Sequence, residues 1–483
     1  MTGTLIAILP EILLLVLGII ILILDPFWKD DTRRIRLGWL TAGGLIAVLI
    51  ISLIVAKPSS QPEMFLGGMI RHDWIGFVFK TFFIFGAAIT ALFMMDVDQL
   101  NKRAESYTLL LAATIGMSLM ASAADLVMLY LSIETTSIPL YILAGFMKED
   151  EKSTEAGFKY LLFGALTSTI LLYGFSLLFG FSGQTSLYGL QELFSGFNIV
   201  AAGVLFLLIV GMAFKVSLVP FHFWAPDVYQ GAPTPVTGFL STASKAAGFA
   251  VVLRLLTVVF PSISQNWSMI LAVLATITMT TGNLLALGQL RPDGNIKRLL
   301  AYSSIAHAGY AMIGVVAFSE RGASSTIFYI IAYILTNLAA FGLVAAFQRV
   351  AHSDELKAYS GLSRRASTLA LMMLVAFLSL SGMPPFAGFV GKVFVFTAAI
   401  EQGWIWLAFV GVINSIIGLY YYMTVLKYVY LYRMEGEGEE KHPIPLSRPY
   451  AIALTILTFG ILLLGFAFTP WFGLTTNAAI ALF

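Results

Sequence analysis

Residues 215–245 read KVSLVPFHFWAPDVYQGAPTPVTGFLSTASK. The stretch holds two lysines, His222 and four prolines, yet apolar runs of membrane-spanning length lie on both sides of it. The preceding run, AGVLFLLIVGMAF (202–214), predicts a helix that crosses a bilayer and reaches Lys215. Pro220 interrupts that helix, because it lacks a backbone donor and its ring collides with the preceding turn. Such a break is tolerated at membrane depth only inside protein or along a wet cavity. A second span begins near Pro235 and carries Lys245 ten residues in, about 15 Å deep at 1.5 Å per residue. In a hydrocarbon layer about 30 Å thick, that is where a lysine is costliest. A broken helix beside a buried lysine points to transport.

Composition agrees. Of 483 residues, 59% are hydrophobic and 11% charged, against roughly 25% charged in soluble domains. The chain is therefore a polytopic, all-α membrane protein. Its net charge of +2 says nothing about nucleic acid, because the basic residues fall in short loops rather than on one face, and no nucleic-acid partner is expected. The absence of cysteine excludes disulfides, thiol chemistry and thiolate-held iron–sulfur clusters in this chain. The apolar run Leu5–Leu24 is long enough to span and has no cleavage pattern after it, so it is expected as the first span.

Apolar segments of about 20 residues predict fourteen spans, at 4–24, 38–56, 74–95, 107–122, 125–147, 155–181, 199–229, 234–259, 267–289, 296–318, 325–348, 367–400, 403–432 and 449–471. The seventh and twelfth are too long and hold internal prolines, so both are expected to be broken. Basic residues crowd alternate loops: Lys29, Arg33, Arg34 and Arg36; Lys102 and Arg103; Lys148 and Lys152; Arg291, Lys297 and Arg298; Arg349, Lys357, Arg364 and Arg365; Arg433, Lys441 and Arg448. The other loops carry only Lys57, Arg71 and Arg321. The positive-inside rule then puts both termini on the outer side. The twelfth segment, LSGMPPFAGFVGK (380–392), repeats the pattern of break and lysine five spans after the seventh. Two inverted five-helix repeats, spans 4–8 and 9–13, would produce that pairing. The expected divisions are 1–106, 107–260, 261–432 and 433–483, the last a loop and a final helix.

Helical rise also gives depth. Glu134 lies nine residues after Asp125, Lys392 nine before Glu401, and His307 nine after Arg298, each about 14 Å from a helix end. With Lys245 they fall near one mid-membrane plane. Lys215 just precedes the first break and His222 lies within it. A lysine at the centre cannot comfortably snorkel to either interface, whereas Lys80 and Arg254, nearer helix ends, are expected to do so. His307 suits either proton exchange or packing, and Glu134 could serve as a fixed counter-ion as well as a proton carrier. Lys159, by position alone, reads as an interfacial lysine. The acidic stretch MEGEGEEKH (434–442) reads as a solvated connection.

LSIETTSIPLYIL (131–143), the opening stretch, AYSSIAHAGY (301–310) and GMPPFAGFVGK (382–392) together resemble the proton-conducting antiporter-like subunits of respiratory complex I. The likeness spans helices 4 to 13. Within the family, the ILPEILLL opening, the lack of a long lateral helix and a lysine at 392, where a related branch has glutamate, favour one branch. The resemblance implies a modulating pair Glu134–Lys215, a central relay at Lys245, and Lys392 linking to the opposite aqueous side. It further implies proton transfer by His222 and His307 and matches Lys159 to a lysine early in helix six. Quinone, NADH, FMN and iron–sulfur clusters are then expected in other subunits and no cofactor here. Expected partners are other membrane subunits, a peripheral redox arm and the lipid of a bacterial cytoplasmic membrane. Multisubunit cation/proton antiporters share this core and form the alternative. A purely structural scaffold would explain the helices but not the row of charges.

Overall fold

A computed structural model describes residues 2–28, 31–59, 61–191, 193–194, 196–433 and 444–483. Among the described residues, helices stand where all fourteen spans are expected. They are α1 (Leu9–Leu24), α2 (Asp31–Val55), α3 (Trp74–Met94), α4 (Ala104–Ser122), α5 (Leu126–Ala144), α6 (Glu151–Ser182), α7 in two pieces (α7a, Ile199–Val216; α7b, Trp224–Gly231), α8 (Thr234–Val259), α9 (Ser264–Leu287), α10 (Ile296–Val316), α11 (Glu320–Ala351), α12 in two pieces (α12a, Ser367–Ser381; α12b, Ala387–Glu401), α13 (Ile405–Tyr430) and α14 (Arg448–Phe466). Short polar residues start several of them by accepting backbone N–H groups of the first turn. Asp73 caps α3 through Gly76, Asn198 caps α7a through Ala201, and Asn295 caps α10 through Arg298. Two features were not foreseen: a hairpin, β1 (Glu63–Phe65) with β2 (Ile70–His72), between α2 and α3, and a final helix α15 (Phe468–Ile480). The acidic stretch 434–442 and Lys29 lie outside the described residues.

Both breaks are built alike. At the end of α7a, Ser217 turns left-handed (φ 61°), while Ser217 N–H and Leu218 N–H donate back to Phe214 and Ala213 carbonyls. At the end of α12a, Gly382 (φ 83°) and Met383 donate to Ser379 and Leu378 in the same pattern. This doubly bonded cap satisfies last-turn carbonyls and turns the chain out of the helix. A cis proline, Pro220 or Pro385, follows three residues after each left-handed position.

Alternate loops gather at opposite ends. A cavity of about 710 Å³ is lined by the loop residues Asp96, Asp150 and His352, by Lys297 in the first turn of α10 and by Gly231–Pro235 at the α7b–α8 junction. The other end holds a cavity of about 420 Å³, lined by Ser59, Arg71, Gln191, Pro261 and Phe318. A miscounted helix would have mixed these two sets. α8 is buried along its whole length, as is α11 from Gly322 to Phe347, so both lie inside the protein. Apolar side chains of α1, α2, α6, α9 and α13 are exposed on the perimeter, where lipid is as good a solvent as protein.

The snorkelling expected of Lys80 and Arg254 does not occur. Lys80 on α3 is buried and meets Glu11 on α1 at 2.8 Å, with Ala7 O at 3.2 Å. Arg254 on α8 grips Asp73 in a bidentate pair at 2.8 and 3.0 Å and also donates to Tyr188 Oη and Ala121 O. Both residues sit near helix ends, as expected. But those ends face other helices, so a carboxylate from a neighbour replaces the aqueous interface.

Candidate functional site

The first break positions Lys215 at the last turn of α7a, where its ammonium donates to Ser137 Oγ of α5. Ser137 lies three residues after Glu134, hence on the same face of α5. The Glu134 carboxylate in turn accepts from Ser168 of α6. Glu134 and Lys215 are thus brought to adjoining turns, with Ser137 as the group the lysine touches.

Lys245 follows a π-helical turn, Leu240–Ser244, within α8. Its ammonium donates to Ser304 O at 2.7 Å and Ser304 Oγ at 2.6 Å, both on α10. Tyr333 of α11 donates to the same Ser304 Oγ at 2.8 Å. One turn further along α10, His307 Nδ1 is 2.6 Å from Tyr329 Oη and Nε2 is 3.2 Å from Tyr422 Oη. The rings of His307 and Tyr333 pack with centroids 5.1 Å apart. A cavity of about 10 Å³, lined by His307, Tyr329, Tyr333, Thr336, Ser379 and Gly388 among others, is about the size of one water. It joins His307 to the second break.

There Lys392 of α12b donates to Ser381 O at 3.0 Å and Leu380 O at 3.3 Å. Those carbonyls belong to the broken end of α12a, so one half of the helix satisfies the other. The same ammonium lies 4.7 Å from the Tyr310 ring centroid, a favourable cation–π placement.

Two expected residues stand apart. His222 is buried within the first break, and its Nδ1 has no hydrogen-bonding partner. Lys159 lies away from the row, paired with Glu155 at 2.6 Å and Asp227 at 2.5 Å. Arg298 of α10 grips the other oxygen of Asp227 at 2.7 Å and reaches Gln230 at 2.9 Å. Asp227 therefore fastens the eight-residue α7b to α6 on one side and α10 on the other. Tyr160 of α6 reinforces this by stacking on Trp224 of α7b at 4.5 Å.

The hydroxyl partners were missed: Ser137, Ser304, Tyr329, Tyr333 and Tyr422. Tyr329 and Tyr333 did leave a trace, since their spacing of four puts two polar tips on one face of an apolar helix. Chemically, lysine, hydroxyl, imidazole and a water-sized gap form a set whose members each donate or accept a proton. Among the described residues, no group of three or more His, Asp or Glu stands together as metal ligands do.

Discontinuous helices placed around titratable groups inside the bilayer define a multi-pass membrane protein of the antiporter-like class. Residues 123–418 match the family described as "NADH:quinone oxidoreductase/Mrp antiporter, TM". NADH-quinone oxidoreductase subunit N of Moorella thermoacetica is 40% identical over 478 residues, covering 98% of each chain. A chain of respiratory complex I from Thermus thermophilus, solved with bound aureothin, superposes with TM-score 0.80 at 34% identity, covering 97% of this chain and 99% of that one. A chain of the Mrp complex from Dietzia sp. reaches TM-score 0.82 at 21% identity over 100% of this chain and 98% of its own, a likeness of fold alone. The chain belongs to the NADH:quinone oxidoreductase/Mrp antiporter family.

Proposed function

We propose that this chain is the proton-translocating membrane subunit N of an NADH–quinone oxidoreductase, driven by quinone reduction elsewhere in the assembly. The carrying observation is the buried hydrogen-bonded set Lys245–Ser304–Tyr333, with the His307 ring packed on Tyr333 and a water-sized cavity running from His307 to the broken end of α12a, whose carbonyls hold Lys392. Glu134 sets the charge around Lys215, Lys245 is the central relay, and Lys392 delivers to the outer side. His307 passes protons between Lys245 and Lys392, and His222 exchanges them at the first break. Lys159 acts at the inner rim, where its ion pairs hold α7b in place. NADH, FMN, iron–sulfur clusters and quinone belong to partner subunits, both membrane-embedded and peripheral. Residues 107–260 and 261–432 form the two inverted repeats, following the three helices of 1–106 and preceding the loop and closing helix of 433–483. The setting is a bacterial cytoplasmic membrane with both termini outside.

The test is Lys245→Arg in the assembled complex. Arginine keeps the charge, but with a pKa above about 12 it does not release its proton in a protein. Proton uptake into sealed vesicles should fall nearly as far as in Lys245→Ala, with assembly checked on a native gel. Near-normal pumping by the arginine variant would mean that position 245 needs charge alone, and the relay would fail there.

A further inference from the structure

The groups gathered from Lys245 to Lys392 leave the first half unexplained, since Lys215 ends at Ser137 of α5. An unspent hydrogen lies at Ser304. A serine hydroxyl has one donor hydrogen and two acceptor lone pairs. Ser304 Oγ already accepts from Lys245 Nζ and from Tyr333 Oη, so both lone pairs are taken and only its hydrogen remains.

Tyr229 of α7b is fully buried, and its hydroxyl has no hydrogen-bonding partner. Ser217, the left-handed residue that ends α7a two positions after Lys215, is also fully buried with an unpartnered hydroxyl. The Tyr229 hydroxyl is near enough to both Ser304 and Ser217 to interact with each, yet neither contact has hydrogen-bond geometry. A buried hydroxyl left unpaired is costly, so two left unpaired beside each other call for a reason. Tyr229 is held at this spot from three sides. Asp227, two residues earlier, ties α7b to α6 and α10. The Tyr229 ring packs edge-on against Trp224 and Phe341.

We infer that Tyr229 is a further relay residue, carrying protons between the Ser217 end of the Lys215 helix and Ser304 beside Lys245. This rests on the proton-translocating reading above. The Lys245 ammonium gives a proton to Ser304 Oγ as Ser304 gives its hydrogen to Tyr229 Oη. Tyr229 gives its own to Ser217 Oγ, and Ser217 passes its hydrogen on to the neutral Lys215 amine at the same helix end, so that Lys245 ends neutral and Lys215 charged. Every hydroxyl ends with one hydrogen, so one proton moves without net charge remaining on any of them. The transfer needs the Tyr229 hydroxyl to pass from contact into bonding geometry with both serines. That hydroxyl is absent from phenylalanine but replaceable by an imidazole.

The experiment compares Tyr229→Phe, Tyr229→His and Ser217→Gly with Lys245→Arg in the intact, membrane-reconstituted complex. Protons taken up per electron transferred are measured beside thermal stability. Ser217→Gly removes the second hydroxyl at a position whose left-handed backbone suits glycine, as at Gly382, and decides the matter if a Tyr229 variant does not assemble. Tyr229→Phe and Ser217→Gly should each lose at least half of what Lys245→Arg loses, without a fall in stability, and Tyr229→His should recover part of it. A normal proton-to-electron ratio in Tyr229→Phe or Ser217→Gly, with Lys245→Arg inactive, overturns the role of Tyr229 and leaves the larger reading intact. Normal ratios in all of them overturn both.

Discussion

Arg254 and Asp73 show what a single buried charge demands of its surroundings. Asp73 divides its oxygens between Gly76 N–H, which starts α3, and the Arg254 guanidinium from α8. Arg254 also ties Tyr188 and the Ala121 carbonyl, so four segments meet at one guanidinium. Removing one partner of a fully buried pair leaves the other short of its counter-charge, a loss of up to about 3–5 kcal/mol that Arg71, 3.5 Å from Asp73, offsets only in part. Arg254→Met should therefore sharply lower thermal stability and assembly of the purified complex. Adding Asp73→Asn removes the stranded charge and should recover a substantial part. If the double variant is as unstable as the sum of the singles, the pair is not the source of the loss. Residue type and depth made Arg254 visible as an anomaly, but its remedy lies 181 positions away in the chain.

At the scale of elements, glycines decide which helices approach closely. A Cβ on Gly282 of α9 would stand 2.6 Å from Ala306 N of α10. Gly116 of α4 meets Thr136 N of α5 in the same way, at 2.5 Å, so the opening helix pair of each half touches backbone to backbone. Small residues at such crossings allow the packing that holds membrane helices together. Gly282 also fixes α10, which carries Ser304 and His307. Gly282→Val should cost about 1–3 kcal/mol through overpacking, with proton uptake falling as α10 is displaced. Gly180→Ala on α6, where a Cβ meets nothing within 4 Å, should change neither. Equal thermal shifts in the two variants would show that the α9–α10 contact is not tight. The breaks themselves were legible, because proline and span length mark them. The cap that completes each break was not, since it depends on backbone turning at Ser217 and Gly382.

For the whole molecule, the separation of alternate loops into two end cavities makes sidedness a matter of charge. Lysine and arginine retained in short loops orient membrane chains, and here one set of loops holds nearly all of them. Reporters fused in the loops between helices 1 and 2, 5 and 6, 11 and 12, and 13 and 14 should all report the cytoplasm. A reporter after Phe483 should report the outside. A cytoplasmic carboxy terminus would contradict an even number of crossings and with it the inverted arrangement of the two halves.

Length, apolarity and proline placement determined the number of spans and the two that break, because bilayer thickness dictates helix length and proline removes a donor wherever it stands. Distance along a helix likewise set the depth expected of each lysine, glutamate and histidine. The tertiary structure alone decided what each of them touches. Helical spacing orders residues within one helix but leaves its rotation and its neighbours open. Nothing local distinguishes Ser304, which receives Lys245, from serines that bond only to their own helix. Hydroxyls are tolerated throughout a membrane helix for that reason, and so the partners of the charged row came into view only when α8, α10 and α11 were packed against one another.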